Sequence, residues 1–158
     1  MMGEGSRGEL SIQEWLYPDV TCFGCGHANP RGLHLRSYPQ ADGSVVAAFL
    51  PWPEHDNGFG FLNGGIMATL LDCHSGAAVF ELAHRKGLTR DPGDPLLYVT
   101  AGLDLRYRRP MPLGQAVALR AEVVESDEQR MLVDVSLWWD DKVRASATAD
   151  WRRWRPRG

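Results

Sequence analysis

The sequence predicts an α+β fold, one long central helix wrapped by an antiparallel sheet of five to six strands, on three observations. A single long apolar helical pattern occurs, between about residues 64 and 84. All four long segments that follow it read as strands bounded by Pro, Gly or acidic turns. Strands that succeed one another without intervening helices pair antiparallel, and the helix must then bury itself against one face of their sheet.

The elements follow in order along the chain. "LSIQEWL" reads as a short helix, and "YPDVTCFGCGHANPRGL" is a loop rich in Gly, Pro and Asn. "LHLRSY" and "GSVVAAFLP" are strand-like, the second closed by Pro51 and Pro53. "EHDNGFGFLNGG" is a glycine-rich loop that feeds the long helix, and "RKGLTRDPGDP" is a turn-rich connector behind it. Strands are then expected in "LLYVTAGLDLRYRRP", "GQAVALRAEVVES", "QRMLVDVSLWWD" and "KVRASATADWRRW". In the third, Met131, Val133, Val135 and Leu137 alternate with Leu132, Asp134 and Ser136, the period of a half-buried strand.

With 158 residues, 44% of them hydrophobic, the chain makes one globular domain. Its expected extent is 20–152, preceded by an N-terminal segment, 1–19, and followed by a basic tail, 153–158. The net charge of -3 and a pI near 5.9 exert no global pull toward nucleic acid or anionic membrane. No uninterrupted apolar run reaches the roughly 18 residues of a membrane span, and "MMGEGSRGEL" lacks the apolar core of a signal peptide. A cytoplasmic protein is the expectation. The three cysteines, Cys22, Cys25 and Cys73, are too few and odd in number for a disulfide framework, so reduced thiols are expected.

The long helix is apolar nearly all round, through Ile66, Met67, Leu70, Leu71, Ala77, Ala78 and Leu82, which places it at the centre of the fold. One carboxylate, Asp72, interrupts it. A carboxylate withdrawn from water costs several kcal/mol unless it is paired, hydrogen-bonded or opened to a cavity. At about 100° per residue, Gly65, Ala68, Thr69, Asp72, Ser75, Gly76 and Val79 share one stripe. Side chains this small let a ligand or a second backbone come close, and Asp72 would project into that gap. His74 points about 160° away from Asp72 and reads as a packing histidine.

The run "HDNGFGFLNGGIMATLLD" resembles the hotdog-fold acyl-CoA thioesterases of the PaaI-like group. The family pattern, an Asn, a Gly three residues on, then His-Gly-Gly and an Asp eight residues after the first Gly of that pair, falls on Asn57, Gly60, Asn63-Gly64-Gly65 and Asp72. The upstream "CFGCGHANPRGLHL" is similar to the leader of one branch of that family, so the likeness spans about residues 20–150. It implies a helix wrapped by an antiparallel sheet, dimers or tetramers, and hydrolysis of an acyl-CoA thioester without a cofactor.

Thioester hydrolysis needs donors for a developing oxyanion, and the Gly64 N–H at a helix N-terminus is one. Gly65 beside it lets the substrate approach the backbone. Asp72, the only acidic residue on the stripe, would serve as general base or nucleophile. Asn57 would orient water or hold the substrate carbonyl, and the resemblance assigns Thr100 to positioning the water. Asn63 stands where the family has His; it keeps a donor and an acceptor but no titratable proton. Arg106, Arg108 and Arg109 are either ordinary strand surface or a grip on the phosphates of CoA, with Arg144 as a further candidate. Zinc is not expected: Cys22-x2-Cys25 supplies half a tetrahedral site, there is no second such pair, and Cys73 belongs to the helix.

Three functions stay open at this point. One is an acyl-CoA thioesterase; the others are a non-catalytic acyl-CoA-binding module and a hotdog hydratase or dehydratase, whose chemistry would want a His beside a carboxylate. Gly64 and Asp72 are also about 12 Å apart along a helix axis, too far for one thioester carbon to touch both. The expectation is a homodimer with shared active sites, possibly paired into a tetramer, in which each site draws on two chains.

Overall fold

The computed structural model describes residues 10–88, 97–155 and 157. Helix α1, Ile12–Leu16, starts at a capping box in which Ser11 Oγ accepts from Glu14 N at 3.2 Å and Glu14 Oε2 accepts from Ser11 N at 3.0 Å. Strands β1, Ser37–Pro39, and β2, Val45–Phe49, come before helix α2, Gly64–Arg85. Four strands follow: β3, Leu97–Tyr107, β4, Val117–Ser126, β5, Arg130–Trp139, and β6, Lys142–Trp154. They form one antiparallel sheet in the order β1-β2-β4-β5-β6-β3. The chain is therefore α+β with a single sheet wrapped on α2, and the connector 89–96 lies outside the described residues.

Alternation along each strand decides which face the helix meets. Met131, Val133, Val135 and Leu137 of β5 and Ala145, Ala147 and Ala149 of β6 are buried. Small residues on β6 let α2 settle close to the sheet, while larger ones on β5 fill the space beside it. By length and composition alone α2 is apolar enough to cross a bilayer, and two thirds of its most apolar window, 67%, is instead covered by the rest of the chain.

Both terminal elements pack into the fold. Ile12 is fully buried, and Gln13 bonds both the backbone N and the Oγ of Ser37, so α1 belongs to the core rather than to a separate segment 1–19. At the other end "WRRW" is the last stretch of β6, paired with β3 and β5, and Trp151 is buried. The strand expected in "KVRASATADWRRW" thus runs to Trp154, with Trp151 facing the core and Trp154 exposed.

His74 occupies the core on the side of α2 away from Asp72. Its Nε2 donates to Val45 O at 2.9 Å, and its Nδ1 accepts from Ser37 Oγ at 2.9 Å, which in turn accepts from Gln13 Nε2 at 3.0 Å. Burial holds its ring down to about 4 from the ordinary 6.5, the Val45 bond opposing this in part. Above pH 6.5 both folded and unfolded chains carry it neutral. As pH falls from 6.5 to about 4, the unfolded chain takes up a proton that the folded one refuses, so stability drops by up to about 3 kcal/mol. The urea midpoint should fall over that window in the wild type and less steeply in His74→Gln. Parallel curves for the two proteins would show that His74 does not titrate with folding.

Candidate active site

The N-terminus of α2 is built from the loop before it. Asp56 and Leu62 pair as an antiparallel bridge, and Asn57 closes the turn between them, its Oδ1 accepting from Phe59 N at 2.9 Å and Phe61 N at 3.3 Å. Gly58 and Gly60 take positive φ there, 92° and 84°, which suits glycine in so tight a loop. Asn63 then caps the helix, its Oδ1 accepting from Gly65 N at 2.8 Å and Ile66 N at 3.3 Å. Met67 N is taken by Asn63 O. Of the first four helical N–H groups, that of Gly64 alone has no acceptor among the described residues.

That result refines two sequence expectations. The oxygen of Asn57 is committed to its own loop and that of Asn63 to the cap, so neither is free to receive a substrate donor. Each side chain keeps its amide nitrogen, which has no acceptor among the described residues. Asn57, Gly64, Met67, Tyr107, Arg108 and Arg109 line a cavity of about 390 Å³ at this end of the helix. Tyr107, which sequence reading passed over, donates its hydroxyl to Gly64 O at 2.7 Å and ties the end of β3 to the start of α2. Its signal was faint: one aromatic within the arginine run "RYRRP".

Asp72 lies two turns further along α2 and does not line that cavity. Its partner is Thr100, whose Oγ1 donates to Asp72 Oδ1 at 2.6 Å. The contact follows from register. Thr100 pairs with Trp151 of β6 immediately before a bulge in β3, and the Trp151 indole lies against α2 one turn beyond Asp72. Oδ2 of Asp72 has no donor among the described residues. Burial raises the carboxyl above its ordinary 3.8, the Thr100 bond draws it partly back, and the charge of Cys22 pushes it up.

The stripe of small residues divides into two halves with different uses. At Gly76 a Cβ would come within 2.8 Å of the Trp151 ring, whose Nε1 donates to Ser75 Oγ at 2.9 Å. That half, with Val79 fully buried, is filled by the chain's own tryptophan and not by a ligand or second copy, which corrects the sequence expectation for Ser75, Gly76 and Val79. The other half, Gly65, Ala68, Thr69 and Asp72, stays partly open beside β3.

The arginines separate. Arg108 and Arg109 line the cavity at Gly64, and Arg108 also borders the outer groove of Arg106, where it bonds Ser146 Oγ at 3.2 Å. Arg106 pairs with Asp104 at 3.3 Å in a mixed-charge groove on the outer face of the sheet, away from the helix. Arg144 is buried, donates to Pro110 O at 2.9 Å and stacks on Trp139, so it holds strands together rather than reaching a ligand. Neither nearby histidine approaches the carboxylate: His55 accepts from Trp52 N at 3.0 Å and stacks on the Trp52 ring.

Loop 20–35 lies over the helix beside Asp72. Cys22 and Cys73 approach to 3.7 Å between sulfurs, and Cys25 joins them. Hydrogen bonds from the Cys25 and Cys73 thiols, with help from the backbone N–H groups of Cys25 and Gly24, hold Cys22 far below the ordinary thiol value, while their contacts with Cys22 push Cys25 and Cys73 up. The sequence ground for setting Cys73 apart, its place in the helix, thus disappears on folding.

Comparison with known proteins gives a concordant set. The family model described as "Thioesterase superfamily" matches residues 59–146. An acyl-coenzyme A thioesterase of Xenopus laevis, THEM4, is 26% identical over 114 residues, which are 71% of this chain and 46% of that protein. The chain thus spans less than half the length of that relative. A thioesterase superfamily protein from Shewanella loihica PV-4 superposes with a TM-score of 0.64 at 26% identity, over 82% of this chain and 98% of that one. The BH2602 protein from Bacillus halodurans, crystallised with CoA, superposes with a TM-score of 0.62 at 25% identity, over 79% of this chain and 77% of that one.

Proposed function

The chain belongs to the thioesterase superfamily, and on that premise we propose that it hydrolyses acyl-CoA thioesters to the free acid and CoA in the cytoplasm. The observation that carries the reading is the Asp72–Thr100 pair on the open half of the stripe. The Thr100 bond fixes one carboxylate oxygen and leaves Oδ2 to take a proton from water or to attack the acyl carbon itself. A carboxyl raised by burial is also a stronger base than one in water. A hydratase reading finds no histidine beside Asp72 among the described residues.

At the other end of the reaction, Gly64 lines the cavity with the positive end of the helix dipole behind it, and its N–H is a suitable donor for the thioester oxygen as charge develops. Asn57 lines the same cavity, and Asn63 immediately precedes Gly64 in the chain. Arg108 and Arg109 in the cavity lining suit the phosphates of CoA, and the BH2602 protein, which superposes on this chain, was crystallised with that molecule.

Asp72 and Gly64 belong to one site only if two chains build it, for they are about 12 Å apart on one helix. Two features support a homodimer. β3 is an edge strand of 11 residues with most of its side chains exposed, a surface that proteins generally cover. The Asp72–Thr100 pair opens onto that same edge. In the proposed twofold dimer, Asp72 and Thr100 of one protomer face Asn57, Asn63 and Gly64 of its partner. A further pairing of dimers would give the tetramer.

The reading is tested by release of free thiol from a panel of acyl-CoAs; absence of turnover on every chain length, with CoA still bound, would leave a binding module. A variant pair isolates Asn63. Asn63→Asp keeps the capping oxygen, so its melting midpoint should match wild type, yet it loses the amide donor and kcat/KM should fall by at least about tenfold. Asn63→His retains a donor and should stay active, whereas Asn63→Leu should lose activity and about 1 kcal/mol of stability through the missing cap. Full activity of a normally folded Asp variant would confine Asn63 to capping.

A further inference from the structure

We infer that Cys22, Cys25 and Cys73 form a binding site for one soft divalent cation of the zinc class, which fastens loop 20–35 to α2 at the turn that carries Asp72. Three sulfurs from two distant parts of the chain meet here, all within 4.8 Å of one another. The 3.7 Å between Cys22 and Cys73 is well beyond the roughly 2.05 Å of a disulfide. It matches the edge of a tetrahedron with metal–sulfur bonds of about 2.3 Å, which is roughly 3.8 Å. Shifts of about 1 Å in the remaining sulfur complete three corners, and the fourth is left to water or another donor.

The loop is shaped to deliver these sulfurs. Gly26 N donates to Cys22 O at 2.8 Å, closing "CFGCG" into a tight turn. Leu33 N to Phe23 O at 2.7 Å and Leu35 N to Gly24 O at 3.0 Å anchor the turn from behind. Glycine is required where the turn meets the helix: a Cβ on Gly24 would stand 2.3 Å from Cys73 Sγ and 2.9 Å from Thr69 Cγ2. At Gly26 a Cβ would stand 2.3 Å from Cys22 N. The backbone N–H groups of Gly24 and Cys25 turn toward Cys22 sulfur, as donors around a metal-bound thiolate do. Cys73 is buried and Cys22 exposed, so an ion can enter from the loop side.

Binding involves no oxidation. The M²⁺ ion forms three M–S bonds, and each thiol that still carries a proton releases it to solvent as its bond forms. Soft thiolate donors select zinc-class ions over magnesium or calcium.

The test is a cobalt(II) titration of the reduced, full-length protein under anaerobic conditions, followed by zinc competition. The expected result is one ion per chain, with the thiolate-to-cobalt charge-transfer bands and intense visible bands of tetrahedral coordination, all abolished by zinc. Cys22→Ser alters an exposed loop side chain and should fold normally by circular dichroism, yet bind cobalt at least about tenfold more weakly; Cys25→Ser should behave alike. Absence of thiolate–cobalt bands in wild-type protein with three titratable thiols would overturn the inference. So would undiminished binding by folded Cys22→Ser, or an intramolecular Cys22–Cys73 disulfide that reforms in preference to metal binding under mild oxidation.

Discussion

Replacing Asp72 by Asn is expected to lower kcat by at least about 100-fold, the lower range for loss of a general base, while the protein folds at least as well as wild type. Asn is nearly isosteric, and its oxygen can still accept from Thr100. Stability should hold or rise, because the substitution removes a carboxylate whose ionisation burial opposes. The sign follows from the raised folded-state value: above the ordinary 3.8 the unfolded chain ionises this group more readily than the folded chain, so the wild type loses stability as pH rises through that window. A neutral Asn loses none. The same displacement places the acid limb of kcat/KM above pH 3.8 in the wild type. Thr100→Val deletes the bond that draws the carboxyl down, so its acid limb should move to higher pH. The measurements are steady-state kinetics against pH and thermal melts of the three proteins. Near-wild-type turnover by a folded Asp72→Asn protein would remove Asp72 from the mechanism.

Activity should reappear when two dead variants share a dimer. Asp72→Asn lacks the base, and Asn57→Ala lacks the side chain that closes the loop 57–61 at the wall of the Gly64 cavity. Each alone should be nearly inactive. After co-refolding in equal amounts about half the dimers are mixed, and each mixed dimer holds one intact site and one doubly damaged one. About a quarter of wild-type sites should therefore return, on this statistical count for a twofold dimer. Subunit exchange is followed by mass spectrometry of the intact dimers. Confirmed exchange with no recovered activity would mean that Asp72 and the Gly64 cavity serve the substrate from a single chain, or do not serve it together. The count separates the two-chain site from a general rescue of folding, which would restore activity to one variant alone.

The sequence by itself determined the periodic and local features. Residues 64–85 are helical because their apolar side chains surround the axis and Asn63 caps the start, and β5 is a strand because Met131, Val133, Val135 and Leu137 alternate with polar neighbours. Spacing within one helix also fixed the separation of Gly64 from Asp72, and with it the expectation of a site built by two chains. Tertiary structure decided every feature that joins residues distant in the chain. Thr100 reaches Asp72 only because β3 pairs with β6 at the edge of the sheet and bulges next to the Thr100–Trp151 pair. The half-stripe at Ser75 and Gly76 is closed by that same tryptophan, which β6 brings in from 76 positions beyond Ser75. The sequence left the oxygens of Asn57 and Asn63 uncommitted, since a side chain's bond to its own backbone depends on φ and ψ that composition does not set. The three cysteines mark the limit most clearly: Cys22 and Cys73 are 51 positions apart. No local spacing rule spans that distance, and it is burial of α2 against the loop, a packing event of the whole chain, that brings their sulfurs together.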